Sequence, residues 1–318
     1  MSAGLLIKTA GLHVDGAFDF NNYPLPTPTA LFRLPSGHRL AYDEYGNSSG
    51  YPLFYFHDSG SSRLECCFFH RSAKKQGYRL IAIDRPGIGC SEYYSYQSAR
   101  EFCRQVVHLA DDLGLAEFGV MSLGAGGIYG MTLAHLVPAR VKLQLSIAGV
   151  PGNVFNELNS GSYVASCIDE LAPTLIKLMV RIKYCLFPDN PAATFERLQE
   201  YLSYTDRKML ANPGVQKILA LDQQETIRSG CRGMAQDLGI CFRKLDFSLR
   251  EIEVPSVIWQ GTADRLSQRS NCEYMVSHMP RASYYRVPNR GHFFFIQSMD
   301  DVFYRLRHSC EISHAIAA

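Results

Sequence analysis

A carboxylate, an imidazole and a glycine-rich turn are the residues of this 318-residue chain whose types and order suggest chemistry. Asp264 follows an apolar run in Gly261-Thr-Ala-Asp264, and His292 comes 28 residues later in Gly291-His292-Phe-Phe-Phe, across one predicted helix and one predicted strand. A histidine near its ordinary pKa, oriented by a carboxylate, can act as a general base. Upstream, Phe118-Gly-Val-Met-Ser122-Leu-Gly124-Ala-Gly-Gly-Ile-Tyr-Gly130 passes from an apolar run into small residues and then into a helical pattern. A strand that turns sharply into a helix commonly presents a reactive side chain. Either Ser122, with a hydroxyl, or Gly124, with none, can stand at that turn.

The elements that must hold these residues alternate. Strands at 29–34 and 39–45 are joined by Pro35-Ser-Gly37, and a buried strand at 53–57 runs into Asp58-Ser-Gly-Ser-Ser62. A helix at 64–74, a strand at 78–83 and an amphipathic helix at 99–113 follow, then the turn stretch with its helix and a strand at 143–150. This rhythm predicts an α/β fold with a mostly parallel sheet covered by helices on both faces. Helical periodicity alone occupies 152–249, before a strand at 254–260, a helix at 269–279, a strand at 284–287 and a helix at 300–309. The expected organisation is an N-terminal arm over 1–26, a core domain built from 27–151 and 250–318, and a helical cap over 152–249.

Several segments together resemble the α/β-hydrolase superfamily. His57-Asp-Ser-Gly-Ser-Ser-Arg63 is similar to its H-G-x-P-G-S-R loop, and Asp84-Arg-Pro-Gly-Ile-Gly-Cys-Ser91 to its D-R-P-G-x-G-x-S turn. The order of turn, Asp264 and His292 is also the order of the family's nucleophile, acid and base. The resemblance implies Asp264 and His292 as catalytic partners and backbone N–H donors at Ser59 and Ala125 for an oxyanion. Its spacing selects Gly124 for the nucleophile position: Pro138-Ala-Arg-Val141 begins 14 residues later, and Phe118 stands six residues earlier. Ser122 remains the alternative nucleophile, through a shortened strand and a lengthened helix. A glycine relieves the strained backbone of such a turn but brings no hydroxyl, so no acyl-enzyme can form on it. Asp58, where the family has Gly, is a second departure. A carboxylate facing the pocket would oppose an oxyanion, and one turned to solvent would not.

Composition limits the functions. The net charge of +2 and pI of 8.0, with scattered basic residues, give no ground for a nucleic-acid or anionic-membrane partner. Ten cysteines without C-x-x-C spacing, and no leader-like apolar segment, predict free thiols and a cytoplasmic protein. The apolar stretch at 175–187 is too short and too charged to span a bilayer. With no phosphate-binding loop and no H-E-x-x-H, no cofactor and no metal are expected. The partner is a small, largely apolar organic molecule, in a pocket expected to be lined by Leu123, Tyr129, Phe293, Asp58 and cap residues of 174–187. Three functions fit: His292–Asp264 general-base chemistry without a covalent nucleophile, a non-catalytic ligand-binding relative, or a serine esterase using Ser122. In the first, Gly124→Ser is expected to create esterase activity where the pocket is otherwise competent. Oligomeric state is not legible.

Overall fold

A computed structural model describes residues 7–10, 29–152, 202–241 and 243–308. The expected pocket segment at 174–187 lies outside them. Nine strands form one sheet: β1 (Ile7–Thr9), β2 (Ala30–Arg33), β3 (Arg39–Gly46), β4 (Tyr51–Phe56), β5 (Tyr78–Ile83), β6 (Phe118–Leu123), β7 (Val141–Ile147), β8 (Ser256–Gly261) and β9 (Ala282–Val287). Their spatial order is β1-β9-β8-β7-β6-β4-β5-β3-β2. Among the described residues, only the β2–β3 and β3–β5 pairs are antiparallel. This is the α/β arrangement expected from the alternation, with β4 and β6 side by side near the centre.

Burial explains the order. Every residue of β6 and β8 is buried, as strands covered on both faces must be. Helices α1 (His70–Gln76), α2 (Ala99–Asp112), α3 (Gly127–Leu136), α7 (Arg269–His278) and α8 (Phe295–His308) cover the sheet. Side chains of α1 and α8 enter one apolar cluster, those of α2, α3 and α7 another. Between β7 and β8, the described part of the helical segment holds α4 (Tyr204–Leu210), α5 (Pro213–Thr226) and α6 (Arg232–Cys241).

In the N-terminal arm, Ile7–Thr9 pairs in parallel with β9, Ile7 opposite Tyr284 and Thr9 opposite Arg286. One expectation is corrected. The final helix begins at Phe295, because the aromatic run Phe293–Phe295 continues from a 3-10 turn at His292–Phe294 into it.

Ionic pairs attach α5 and α6 to the core. The Arg85 guanidinium and the Asp237 carboxylate are both fully buried, Nε meeting Oδ1 and Nη2 meeting Oδ2 at 2.7 Å. Arg85 also lies over the Tyr129 ring, whose hydroxyl donates to Asp237 Oδ1 at 2.7 Å. Arg63 likewise meets Glu225 of α5, Asp43 and Asp84. Truncating one member of a buried pair leaves the other's charge without compensation, which costs about 3–5 kcal/mol, whereas a surface pair contributes about 0–1 kcal/mol. Asp237→Ala is therefore expected to lower the urea-unfolding free energy by several kcal/mol. Asp246→Ala, which breaks the partly exposed Arg100–Asp246 pair, is expected to change it by less than about 1 kcal/mol.

Candidate active site

Three loops at the carboxyl ends of the parallel strands converge on one point. After β6 the backbone turns through Gly124, whose φ of 50° lies in the left-handed region, into a 3-10 turn and α3. A non-glycine residue there costs on the order of 1–3 kcal/mol. Asp264 follows β8. Its side chain is fully buried, and Oδ1 accepts from the N–H groups of Leu266 at 2.8 Å and Ser267 at 3.0 Å. Its Oδ2 lies 3.0 Å from Nδ1 of His292, on the turn after β9. The carboxylate and imidazole read from the sequence are thus brought together.

The loop after β4 supplies what stands in front of the imidazole. Asp58 turns into the site, and its Oδ2 lies 3.7 Å from His292 Nε2, an ion-pair contact longer than a hydrogen bond. Its Oδ1 accepts from the N–H of Ser59 at 2.6 Å and of Ala125 at 2.7 Å. These are the two amides expected to hold an oxyanion, and a carboxylate oxygen occupies them. A Cβ added at Gly124 would overlap the Asp58 carboxylate, Cγ and both oxygens alike. Asp58 fills the space in which a side chain at position 124 would begin. A side chain at position 124 therefore requires the Asp58 carboxylate to move aside.

Ser122 is elsewhere. Its fully buried hydroxyl, without a hydrogen-bond partner, lies against Gly130 of α3. Tyr129 is fully buried. Its ring packs with Phe56 and Phe102 and its hydroxyl meets Asp237 and Tyr96 in the core. Leu123 is likewise a core side chain. Phe293 is half-buried, its ring 5.3 Å from the His292 ring. His57 is a structural residue: Nδ1 meets the Asp58 carbonyl at 2.8 Å, and burial and the Arg85 charge hold its pKa well below the ordinary value.

A layer of polar groups behind the site was not foreseen. Arg85 donates to the carbonyl oxygens of His57 at 2.7 Å and Asp58 at 3.1 Å, which fixes the loop that carries Asp58. Glu65 Oε2 accepts from the Asp58 N–H at 2.9 Å and from the Tyr55 hydroxyl at 2.5 Å. The Ser61 hydroxyl touches Glu65 Oε1 and Asp222 Oδ2 together. One hydroxyl proton can satisfy only one of them at a time, so the two carboxyls compete for it. An acid inside an apolar run, Ala235-Gln-Asp237-Leu-Gly-Ile-Cys241, was the sequence signal for the Asp237 part of this layer.

The electrostatics follow from burial. Burial disfavours a charged His292, but hydrogen bonding to Asp264 and the charges of Asp264 and Asp58 outweigh it and lift its pKa to about 10. The ring is an imidazolium between two carboxylates at neutral pH. Burial, with repulsion from Asp222 and Asp58, pushes Glu65 up to about 8. Burial pushes Asp222 up to about 7 against the hydrogen bonds from Ser61 and Ser62.

Comparison with known proteins agrees with this architecture. A sequence profile described as the alpha/beta hydrolase family matches residues 46–306. An uncharacterized hydrolase, YcgS of Bacillus subtilis, is 23% identical over 273 residues, covering 82% of this chain and 90% of its own. The dihydrolipoyllysine-residue acetyltransferase component of the acetoin cleaving system of Pseudomonas putida is 28% identical over 193 residues; the match covers 60% of this chain and about half (49%) of that protein's length. Among solved structures, a thermophilic esterase from Thermogutta terrifontis superposes with a TM-score of 0.67 at 18% identity, covering 92% of this chain and all of that one (100%). Among the described residues no helix is long and apolar enough to cross a membrane.

Both sets of shifts set the pH dependence of stability, with one sign. An unfolded histidine titrates near 6.5 and His292 near 10, so its contribution is complete below 6.5 and is lost as pH rises to about 10. An unfolded glutamate titrates near 4.5 and Glu65 near 8, so the folded state again holds the proton longer and loses stability over that interval. Denaturant unfolding at a series of pH values is expected to show stability falling as pH rises. His292→Asn flattens the upper part of the fall, Glu65→Gln the lower part.

Proposed function

The chain belongs to the alpha/beta hydrolase family, and we propose that it is an enzyme acting on a small, largely apolar organic molecule through Asp58, His292 and Asp264, without a serine acyl-enzyme. One observation carries this reading: the Asp58 carboxylate stands in the space over Gly124, one oxygen on the Ser59 and Ala125 amides and the other toward His292.

The charge states define the roles. In the resting site His292 is already protonated, so it serves as the acid, and Asp58 is the base that faces it. Asp58 takes a proton from the substrate or from a bound water while His292 gives its Nε2 proton to the atom that gains electrons. Asp58 becomes neutral, His292 becomes neutral, and Asp264 keeps its charge and holds Nδ1. The net charge of the three groups is unchanged, which suits an uncharged substrate. A second proton exchange, in the opposite sense, restores the resting state. Elimination, isomerisation and addition of water all conform to this cycle. Acyl transfer through a bound oxyanion does not, because its two amides are occupied.

The alternative using Ser122 has no support from geometry, since that hydroxyl lies against α3. The occupied amides also favour a non-catalytic ligand-binding protein, and the variants below separate it from the proposal. On any substrate the wild type turns over, Asp58→Asn and His292→Asn are each expected to reduce kcat by about 10²–10⁴-fold; undiminished turnover in either would refute the assignment. Absence of turnover across broad panels, with ligand affinity retained in both variants, would establish the binding protein. A fluorophosphonate probe supplies a test that needs no substrate. Wild type, Asp58→Gly and Gly124→Ser are expected to remain unlabelled, and the double variant Asp58→Gly/Gly124→Ser to react at position 124. Labelling of wild type at Ser122 would overturn the reading.

A further inference from the structure

The helix that carries His292 at its start lacks a cap of its own. Gly291 precedes the 3-10 turn His292–Phe294 that leads into α8, and it has no side chain to accept from the first N–H groups. A residue from a distant segment accepts from them instead. Asp206, in the first turn of α4, takes the His292 N–H on Oδ2 at 3.0 Å and the Phe293 N–H on Oδ1 at 2.9 Å. Its carboxylate is held in turn: the Ser203 hydroxyl donates to Oδ2 at 2.7 Å and accepts from the Asp206 N–H at 3.1 Å. Asp206 is 1% exposed. A Cβ on Gly291 would overlap both the Asp206 carboxylate and the Ser203 hydroxyl. The bare backbone at 291 and the acid at 206 are matched in shape.

We propose that Asp206 is a positioning residue for His292, a helix cap supplied from another segment that fixes the backbone from which the imidazole reaches Asp264 and Asp58. The inference rests on the acid–base role given to His292 above. Two adjacent N–H donors call for two acceptor oxygens, which a carboxylate has and an amide side chain does not. A negative charge also suits a helix N-terminus. The imidazole sits between carboxylates on two other loops, Asp264 after β8 and Asp58 after β4. Its hydrogen bond to one and its distance from the other therefore depend on where residue 292 is held. A shift of about 1 Å at a catalytic group can cost about 10²-fold in rate.

The experiment is substrate-free at its core. With 15N-labelled histidine, the wild type is expected to show a low-field Nδ1–H resonance for His292 and a titration near pH 10. In Asp206→Ala the resonance broadens and the titration moves back toward 6.5. Asp206→Asn, which keeps one acceptor, falls between. A residue that merely supports the fold would lower the melting temperature while folded molecules kept the wild-type imidazole signature. Folded Asp206→Ala with an unchanged resonance and titration would overturn the proposal. If that variant does not fold, Asp206→Asn decides on the same two readings. On a turned-over substrate, kcat is expected to fall roughly 10–100-fold with KM unchanged. Should Asp58→Asn leave turnover intact while the Asp206 variants still displace the imidazole signature, the reaction assignment fails and the positioning role stands.

Discussion

The space over Gly124 admits one side chain, and here it belongs to residue 58. The left-handed backbone at position 124 is free of strain only for glycine, and the Asp58 carboxylate overlaps any Cβ that might be placed there. Two amides aimed at this space would each be left unsatisfied when dry, at a cost of about 1–3 kcal/mol. In a serine hydrolase such donors are left for an oxyanion that exists only transiently. Here they are satisfied at rest by a resident anion. This occupancy at rest is what the proposed function builds on, since catalysis draws only on interactions stronger in the transition state than in the ground state.

The same carboxylate decides the state of the histidine. With Asp264 alone, His292 would have one anionic partner; with Asp58 it has two, and burial is outweighed. In the proposed reaction the resting imidazole is therefore the acid, and the base is residue 58. That exchange of roles depends on parts of the molecule beyond the three side chains. Arg85 holds the carbonyl groups of His57 and Asp58, and Asp237 holds Arg85. Glu65 holds the Asp58 N–H from beneath. Each contact is between groups removed from water, where a lost partner is costly and geometry is correspondingly well defined.

Much of this was legible in the chain before any coordinates, and the limit has a physical basis. Periodicity and turn residues located the central strands, because buried parallel strands are short apolar runs between glycine-rich loops. Spacing located Gly124, and the order of Asp264 and His292 located the pair. Both departures were visible, Gly at 124 and Asp at 58, but as separate facts. They lie 66 residues apart, and only the adjacency of β4 and β6 makes them one substitution shared between two loops. Leu123, at the end of β6, and Tyr129, on α3, are buried in the core; an element apolar on all sides does not declare which face meets a cavity. Asp206 carried no signal: an acid after a serine at a helix start reads as a local capping residue, and its partners in the His292 turn are fixed by tertiary structure alone.

The described helices of the segment expected to form a cap are each attached to the core. Asp206 holds the His292 turn, Asp222 holds Ser61 and Ser62, Glu225 holds Arg63 and Asp237 holds Arg85. Separating α4, α5 and α6 from the core would break all four contacts and leave Arg63 and Arg85 buried without these partners. Hydrating the freed groups returns only part of that loss, because the core side of each contact stays in the protein. Truncating one member of a buried charge pair costs about 3–5 kcal/mol, and the two pairs Arg63–Glu225 and Arg85–Asp237 are sizeable beside a typical domain's total stability of about 5–15 kcal/mol. These contacts favour helices that stay attached while the fold is intact. They form a wall of the site, and the positions of Asp58 and His292 are set in part by that wall.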